Sequence, residues 1–445
     1  ELEEVQPYYV HFEGFGVTAL PDGGFAVVWA ETYAGASDFD STVRLQRFDA
    51  NGSASGNELT LYQGTDSQLT TRFSQPAVAS DEEGDLVVAW TTPGDNCFGD
   101  LFFQTLEADG DWSNLPDPTR VTEEGCDPRL AMDADGDFAL TWRERDPTEY
   151  QEASARLRTY SANGTAFQVS DIVLARDSVW ERATPALAMQ RDGEFMVAWE
   201  TEDDDYNLYS QRYNLNGTTR YATPQRLDNG MLNPDYDHIQ INPALEPYGD
   251  DGFIAFWEER QEYLAAEDAN KFEIKGLRWH ADLTPGKALT AGEMLTSDDY
   301  NLFKQSSPAL AVDSDGNAIV AWQGQEDEQK PQTSLTLFDD RLSIVELEQP
   351  FIDPETLNAS SVISHPPQLV MTDEQTFLVW VQVEDDQPHR LVMRTLPSLV
   401  EADIPVDEDN ATETGGSSGS GGGAGSPWLL GLVALLGIGR WMRRH

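Results

Sequence analysis

One short phrase returns seven times along the chain: an apolar run, an acidic turn, and a second apolar run ending in Trp. The phrase closes at Trp29, Trp90, Trp142, Trp199, Trp257, Trp322 and Trp380, a period of about 58 residues. PAVASDEEGDLVVAW at 76–90 and PALAMQRDGEFMVAW at 185–199 are two copies. Asp-Gly and Gly-Asp pairs between apolar runs suit the positive φ angles of tight turns, so each phrase predicts a β-hairpin. The seventh copy departs, carrying Asp373, Glu374 and Gln375 and no Gly.

The second strand of each hairpin, such as Leu86 to Trp90 or Phe195 to Trp199, is almost continuously apolar, as a strand buried on both faces must be. The strand after it alternates, with Val43, Leu45 and Phe48 set against Arg44, Gln46 and Arg47, which suits a position further out. Turns at 49–52, 161–164 and 214–217 follow, and then a fourth strand. Four short antiparallel strands repeated seven times predict an all-β chain, a seven-bladed β-propeller of four-stranded blades over residues 1–404. Residues 1–7 stand where the other repeats carry a fourth strand, so the N-terminus is expected to complete the last blade. The repeated Trp invites comparison with a ligand stack. A Trp ending a doubly apolar strand buries up to about 250 Å², however, and is better read as cement between blades.

The repeat resembles one found in bacterial secreted and surface proteins. There a Pro-Ala-x-Ala start, an acidic Gly turn, a Val-rich strand ending in Trp and a Gln-Arg-Phe-Asp-like strand recur. The last piece stands here as Gln46-Arg47-Phe48-Asp49 and Gln211-Arg212-Tyr213-Asn214. The resemblance covers about residues 10–400 and implies a fold and an exported location, with no shared activity. The Asp-box of sialidase-like propellers is a looser likeness. That box joins strands three and four, whereas the acidic Gly turn here joins strands one and two.

Hydrophobic residues at 39% and 12 Trp promise a sizeable core despite the charge. With 79 acidic against 28 basic residues the net charge is −51, which repels nucleic acid and leaves no basic stripe to hold a phosphate backbone. Cys97 and Cys126 are the whole thiol inventory. They are too few for a disulfide scaffold or a Cys-based zinc site, and both are assigned to one face, where they predict a single bridge rather than two free thiols. The chain begins at Glu1 without a charged-then-apolar leader, and the expectation is that a signal peptide has been removed.

Residues 405–426 are acidic and then Gly/Ser-rich, a flexible linker by composition that includes Gly415, Gly416, Ser417 and Ser418. Residues 427–445 hold a short apolar stretch and then Arg440, Arg443 and Arg444. As a helix the apolar part rises some 20 Å, short of a bilayer core of about 30 Å, and its basic end favours a cytoplasmic C-terminus. A marginal stop-transfer anchor is one reading. The order of Gly/Ser region, short apolar helix and Arg cluster resembles the GlyGly-CTERM sorting tail of Gram-negative bacteria. That resemblance implies membrane anchoring through the helix, cleavage by a rhomboid-type protease, rhombosortase, and a final place at the cell surface or outside it.

The longest acidic loops gather on the face that joins strands two to three and blade to blade. They include stretches beginning at Glu200 and Glu258, and a repeated Asp-Asp-Tyr-Asn phrase at Asp204, Asp205, Tyr206 and at Asp298, Asp299, Tyr300, with Asp235 and Asp237 nearby. Carboxylates are hard oxygen ligands for calcium and Tyr offers a flat face to a sugar, while the plain alternative is a solvated acidic loop. The six His form no metal-ligand spacing, and neither a phosphate loop nor a Gly-x-Ser-x-Gly elbow occurs. The sequence therefore points to an exported binding module for a glycan, a cationic protein partner or calcium. A sialidase-like glycan-cleaving enzyme is the alternative, with a structural envelope protein as a third. An Arg cluster drawn from Arg72, Arg143, Arg182 and Arg260 would favour the enzyme.

Overall fold

The computed structural model describes residues 10–34, 39–66, 71–72, 75–95, 97–110, 112–146, 152–178, 185–201, 207–228, 238–250, 252–261, 271–279, 285–296, 308–324, 332–342, 344–352, 362–363, 367–372, 375–383 and 390–396. Among these residues the chain is all-β, with one 3-10 turn at Trp112–Asn114. Each Trp-ended phrase is an antiparallel hairpin. In the first unit Val10–Ala19 pairs with Phe25–Ala34, and in the fourth Ala186–Met189 pairs with Phe195–Thr201.

The turns inside the hairpins of units two and three are built by their acidic residues. In unit three Asp133 Oδ1 accepts from the amides of Asp135 and Asp137 at 3.0 and 2.9 Å, and Asp81 in unit two holds Glu83 and Asp85 in the same way. Burial outweighs those two donors at Asp133 and pushes its carboxyl up to about 6. Gly136 and Gly193 sit in these turns at φ 88° and 84°. A Cβ on Gly136 would stand 3.1 Å from Asp81 Oδ2, and one on Gly193 2.9 Å from Asp133 Oδ2. Each turn is thus pressed onto that of the unit before it, so Gly answers both a backbone and a steric demand.

The second strands are buried throughout, as in Leu86–Thr91. Their side chains meet those of the neighbouring unit in one apolar cluster per boundary. Val28 and Val43 of unit one pack with Val88 and Trp90 of unit two, and Val87 and Ala89 with Phe138 and Trp142 of unit three. All seven repeated Trp are at most 7% exposed. Each faces the preceding unit, and Trp29 of the first unit lies with Val379 and Val381 of the seventh. The first strands touch one another in order around the molecule, and Val10–Ala19 also touches Gln368–Met371.

Radially arranged four-stranded antiparallel sheets with inter-sheet cores make this a β-propeller architecture. Three units depart from four separate strands. Thr119–Met132 pairs first with Gly99–Leu106 and then with Phe138–Arg145, so it is both the outer strand of unit two and the inner strand of unit three, and the two units share one seven-stranded sheet. In unit seven Val362–Ile363 and Gln368–Met371 pair with Thr376–Val383, which also pairs with Arg390–Leu396. Residues 1–7 and the whole of 397–445, with the linker and sorting tail, lie outside the described residues. Among the described residues no helix is long and apolar enough to cross a membrane.

Candidate binding site

The first strands leave a cavity of ≈540 Å³ on the axis, and every unit contributes to its wall. Small apolar residues such as Ala77, Ala186 and Ala309 stand in the wall of several units. Polar side chains gather on the side of units three to five: Asp127, Arg129, Arg143, Glu200, Asn242 and Glu246. Gln75 and Gln368, from the units on either side of the first, both donate to the Phe15 carbonyl at 2.7 and 2.6 Å and tie the remaining arc together.

Two backbone kinks shape the polar arc. Asp127 and Asn242 hold equivalent places before Pro128 and Pro243, with φ 51° and 54°. A following Pro disfavours the right-handed helical region, and Asp and Asn tolerate the left-handed one best among residues with a side chain. Pairing slips at the same points, between Cys126 and Arg129 and between Ile241 and Ala244. Such bulges re-aim the side chains that follow them.

A small lobe braces the first kink. Cys97 and Cys126 are joined by a disulfide with Cα atoms 5.5 Å apart. Phe98, buried beside them, lies under the guanidinium groups of Arg143 and Arg145 at 5.4 and 5.2 Å. Arg145 pairs with Glu124 at 2.6 Å and Asp95 at 3.3 Å, and Arg143 with Asp127 at 3.5 Å. Cys97, Cys126 and Asp127 form the single close group of metal-ligating residue types among the described residues. Because both sulfurs are in the disulfide, no thiolate remains there for a metal.

The second kink is held by a buried polar network. Glu200 accepts the Asn242 amide at 2.8 Å, and Asn242 Nδ2 donates to Glu258 at 3.3 Å. Behind them Gln240 bridges Asp228 and Glu259, and the Trp257 indole donates to Glu259 at 3.2 Å. These carboxylates fix backbone and side-chain positions.

Two wall residues stand apart from these networks. The only hydrogen bond of the Arg129 guanidinium among the described residues goes to the Pro128 carbonyl, at 3.1 Å. Enclosure lowers its pKa below the usual arginine value, against the pull of nearby Asp127. Glu246 has no hydrogen-bond or ion-pair partner among the described residues, and enclosure pushes its carboxyl up to about 8.

Asp204, Asp205, Tyr206, Asp235, Asp237, Asp298, Asp299 and Tyr300 lie outside the described residues, as do Gly415, Gly416, Ser417, Ser418, Arg440, Arg443 and Arg444. Glu200 and Glu258, expected to open loops, are buried near the ends of strands Phe195–Thr201 and Gly252–Gln261. Cys126 and Arg143, also expected in loops, belong to strands Thr119–Met132 and Phe138–Arg145, because the hairpins extend past the Trp. Of the four arginines considered for a cluster, Arg143 reaches the cavity. Arg72 and Arg260 are placed by backbone pairing to Gly94 and Phe272, and Arg182 lies outside the described residues. Sequence reading missed Arg129 and Glu246, although the repeat itself held the signal, since both stand where most copies carry Ala.

The sequence matches no described protein family and no curated protein. Among solved structures it is similar to an ulvan lyase of a new polysaccharide lyase family, at 10% identity over 88% of this chain and 97% of that one, with a TM-score of 0.48. The β-propeller domain of the Trilobed protease from Pyrococcus furiosus aligns at 6% identity over 88% and 98%, with a TM-score of 0.45. A Hadza microbial sialidase aligns at 11% over 83% and 63%, with a TM-score of 0.43. Likenesses this distant bear on neither activity nor ligand, and the architecture stands on its own strand pairing.

Proposed function

We propose that the chain is a closed seven-bladed β-propeller that binds a short saccharide in its axial cavity, outside a Gram-negative cell. The observation that carries this reading is the cavity wall, to which all seven units contribute and which sets charged and amide side chains beside small apolar ones. Sugars present hydroxyl edges and C–H faces, and such a mixed wall suits both. Its volume falls within the roughly 300–1,000 Å³ of small-molecule pockets. Calorimetric titration with a glycan panel tests the reading. Saturable binding that disappears in Ala309→Trp, with melting unchanged, is the expected result; binding that survives the blocked cavity would place the site elsewhere.

A glycan-cleaving reading draws on one feature of the same wall. Glu246, whose carboxyl is pushed up to about 8, shares the cavity with Asp127 and Glu200, and glycoside hydrolysis uses a pair of carboxyl groups flanking the bond. Release of new reducing ends from a bound glycan would establish turnover, and its absence would leave a binding module. The exported address rests on the tail resemblance. The intact mass of protein recovered from its native host is expected to show loss of residues after the Gly/Ser stretch, and a complete C-terminus would count against it.

A further inference from the structure

Aligning the six inner strands that carry the repeated Pro sets Arg129 and Glu246 apart from the rest of the repeat. At the place of Arg129 the other Pro-bearing units carry Ala77, Ala186, Ala244, Ala309 and Gln368. At the place of Glu246 most units carry Ala, as at Ala79, Ala131, Ala188 and Ala311. The blade therefore folds without either charge, and a half-buried ionisable group lacking an ion-pair partner opposes stability. Both side chains line the same cavity, yet no ion pair joins them among the described residues, which leaves Arg129 with donors and Glu246 with its carboxyl turned to whatever occupies the space. Each strand residue advances the chain by about 3.3 Å, so Glu246, three places past its Pro against one for Arg129, sits about 7 Å further along the axis.

Resting on the saccharide reading, we infer that Arg129 and Glu246 select the ligand, a short saccharide carrying one carboxylate, bound with that carboxylate on Arg129 and a hydroxyl on Glu246. A guanidinium meets a carboxylate with two parallel donors, which a neutral sugar cannot use equally well. Glu246 can accept from or donate to a hydroxyl further along the cavity. The overall charge of −51 sets the length, because a polyuronate would be repelled along the rest of the surface whereas a single carboxylate pays that penalty once.

The test is calorimetry on the full chain with a disaccharide of one uronate and one neutral hexose, its uronate methyl ester, and the matching neutral disaccharide. The acid is expected to bind at least about tenfold more tightly than the ester, an advantage that Arg129→Ala abolishes. Glu246→Ala is expected to weaken all three ligands. Both variants place the residue most other units already carry, so both should melt no lower than wild type. Equal binding of acid and ester, or Arg129→Ala without effect, overturns the carboxylate assignment and leaves a saccharide site standing. Failure of every saccharide to bind overturns both readings.

Discussion

Asp133 shows how one residue serves local structure at a thermodynamic cost. Its carboxylate organises a turn by accepting two amides, yet burial against the next turn raises its pKa to about 6. A folded-state pKa above the unfolded value means the folded protein binds the proton more tightly. The resulting destabilisation is full above about pH 6 and is relieved as pH falls through 6 toward the unfolded value near 4. Asp133→Asn keeps a side-chain acceptor without the charge, and unit four carries the neutral Gln190 at the same place. Its melting temperature is expected to exceed that of wild type at pH 7–8, the gap closing by pH 4, and melting curves across that range would read it directly. Gly136 faces the opposite constraint, since Ala there must take a left-handed backbone and meet Asp81. A loss of about 1–2 kcal/mol in denaturant unfolding is expected, and a neutral outcome would show that the turn relaxes.

At the scale of elements, the strand Thr119–Met132 joins two blades and carries Asp127 and Arg129 to the cavity. The Cys97–Cys126 bridge closes a loop of 29 residues beside that kink. Replacing both Cys with Ser is expected to lower stability by about 3–4 kcal/mol in the chain-entropy picture. It should also weaken saccharide binding more than Gly136→Ala does, because the lobe under Arg143 and Arg145 loosens. Equal effects of the two changes on affinity would separate the bridge from the site. The hairpins and their turns were legible in sequence because apolar runs and Gly positions are local. The long shared strand was not, since Thr119–Glu124 is polar and its pairing partner, Gly99–Leu106, is set by the approach of blade to blade.

At the scale of the whole molecule, the core consists of one cluster per blade boundary, including that between blades seven and one. There the tilted rings of Phe25 and Phe377 lie with centroids 4.7 Å apart. The closed ring proposed above predicts that Phe377→Ala, which opens a cavity at this seam, lowers stability by about 3–5 kcal/mol while unfolding stays a single transition. Tryptophan fluorescence and far-UV circular dichroism should follow coincident curves, and two separate transitions would speak for an open array. The sequence by itself determined the repeat, the hairpins, the buried Trp and the strongly acidic charge, because each follows from local periodicity or composition. Only the tertiary structure decided which side chains face the axis. Arg129 and Glu246 lie 117 positions apart in the chain, and no local pattern brings them to one cavity. Their meeting depends on the curvature of the ring, which arises from packing each blade against the next.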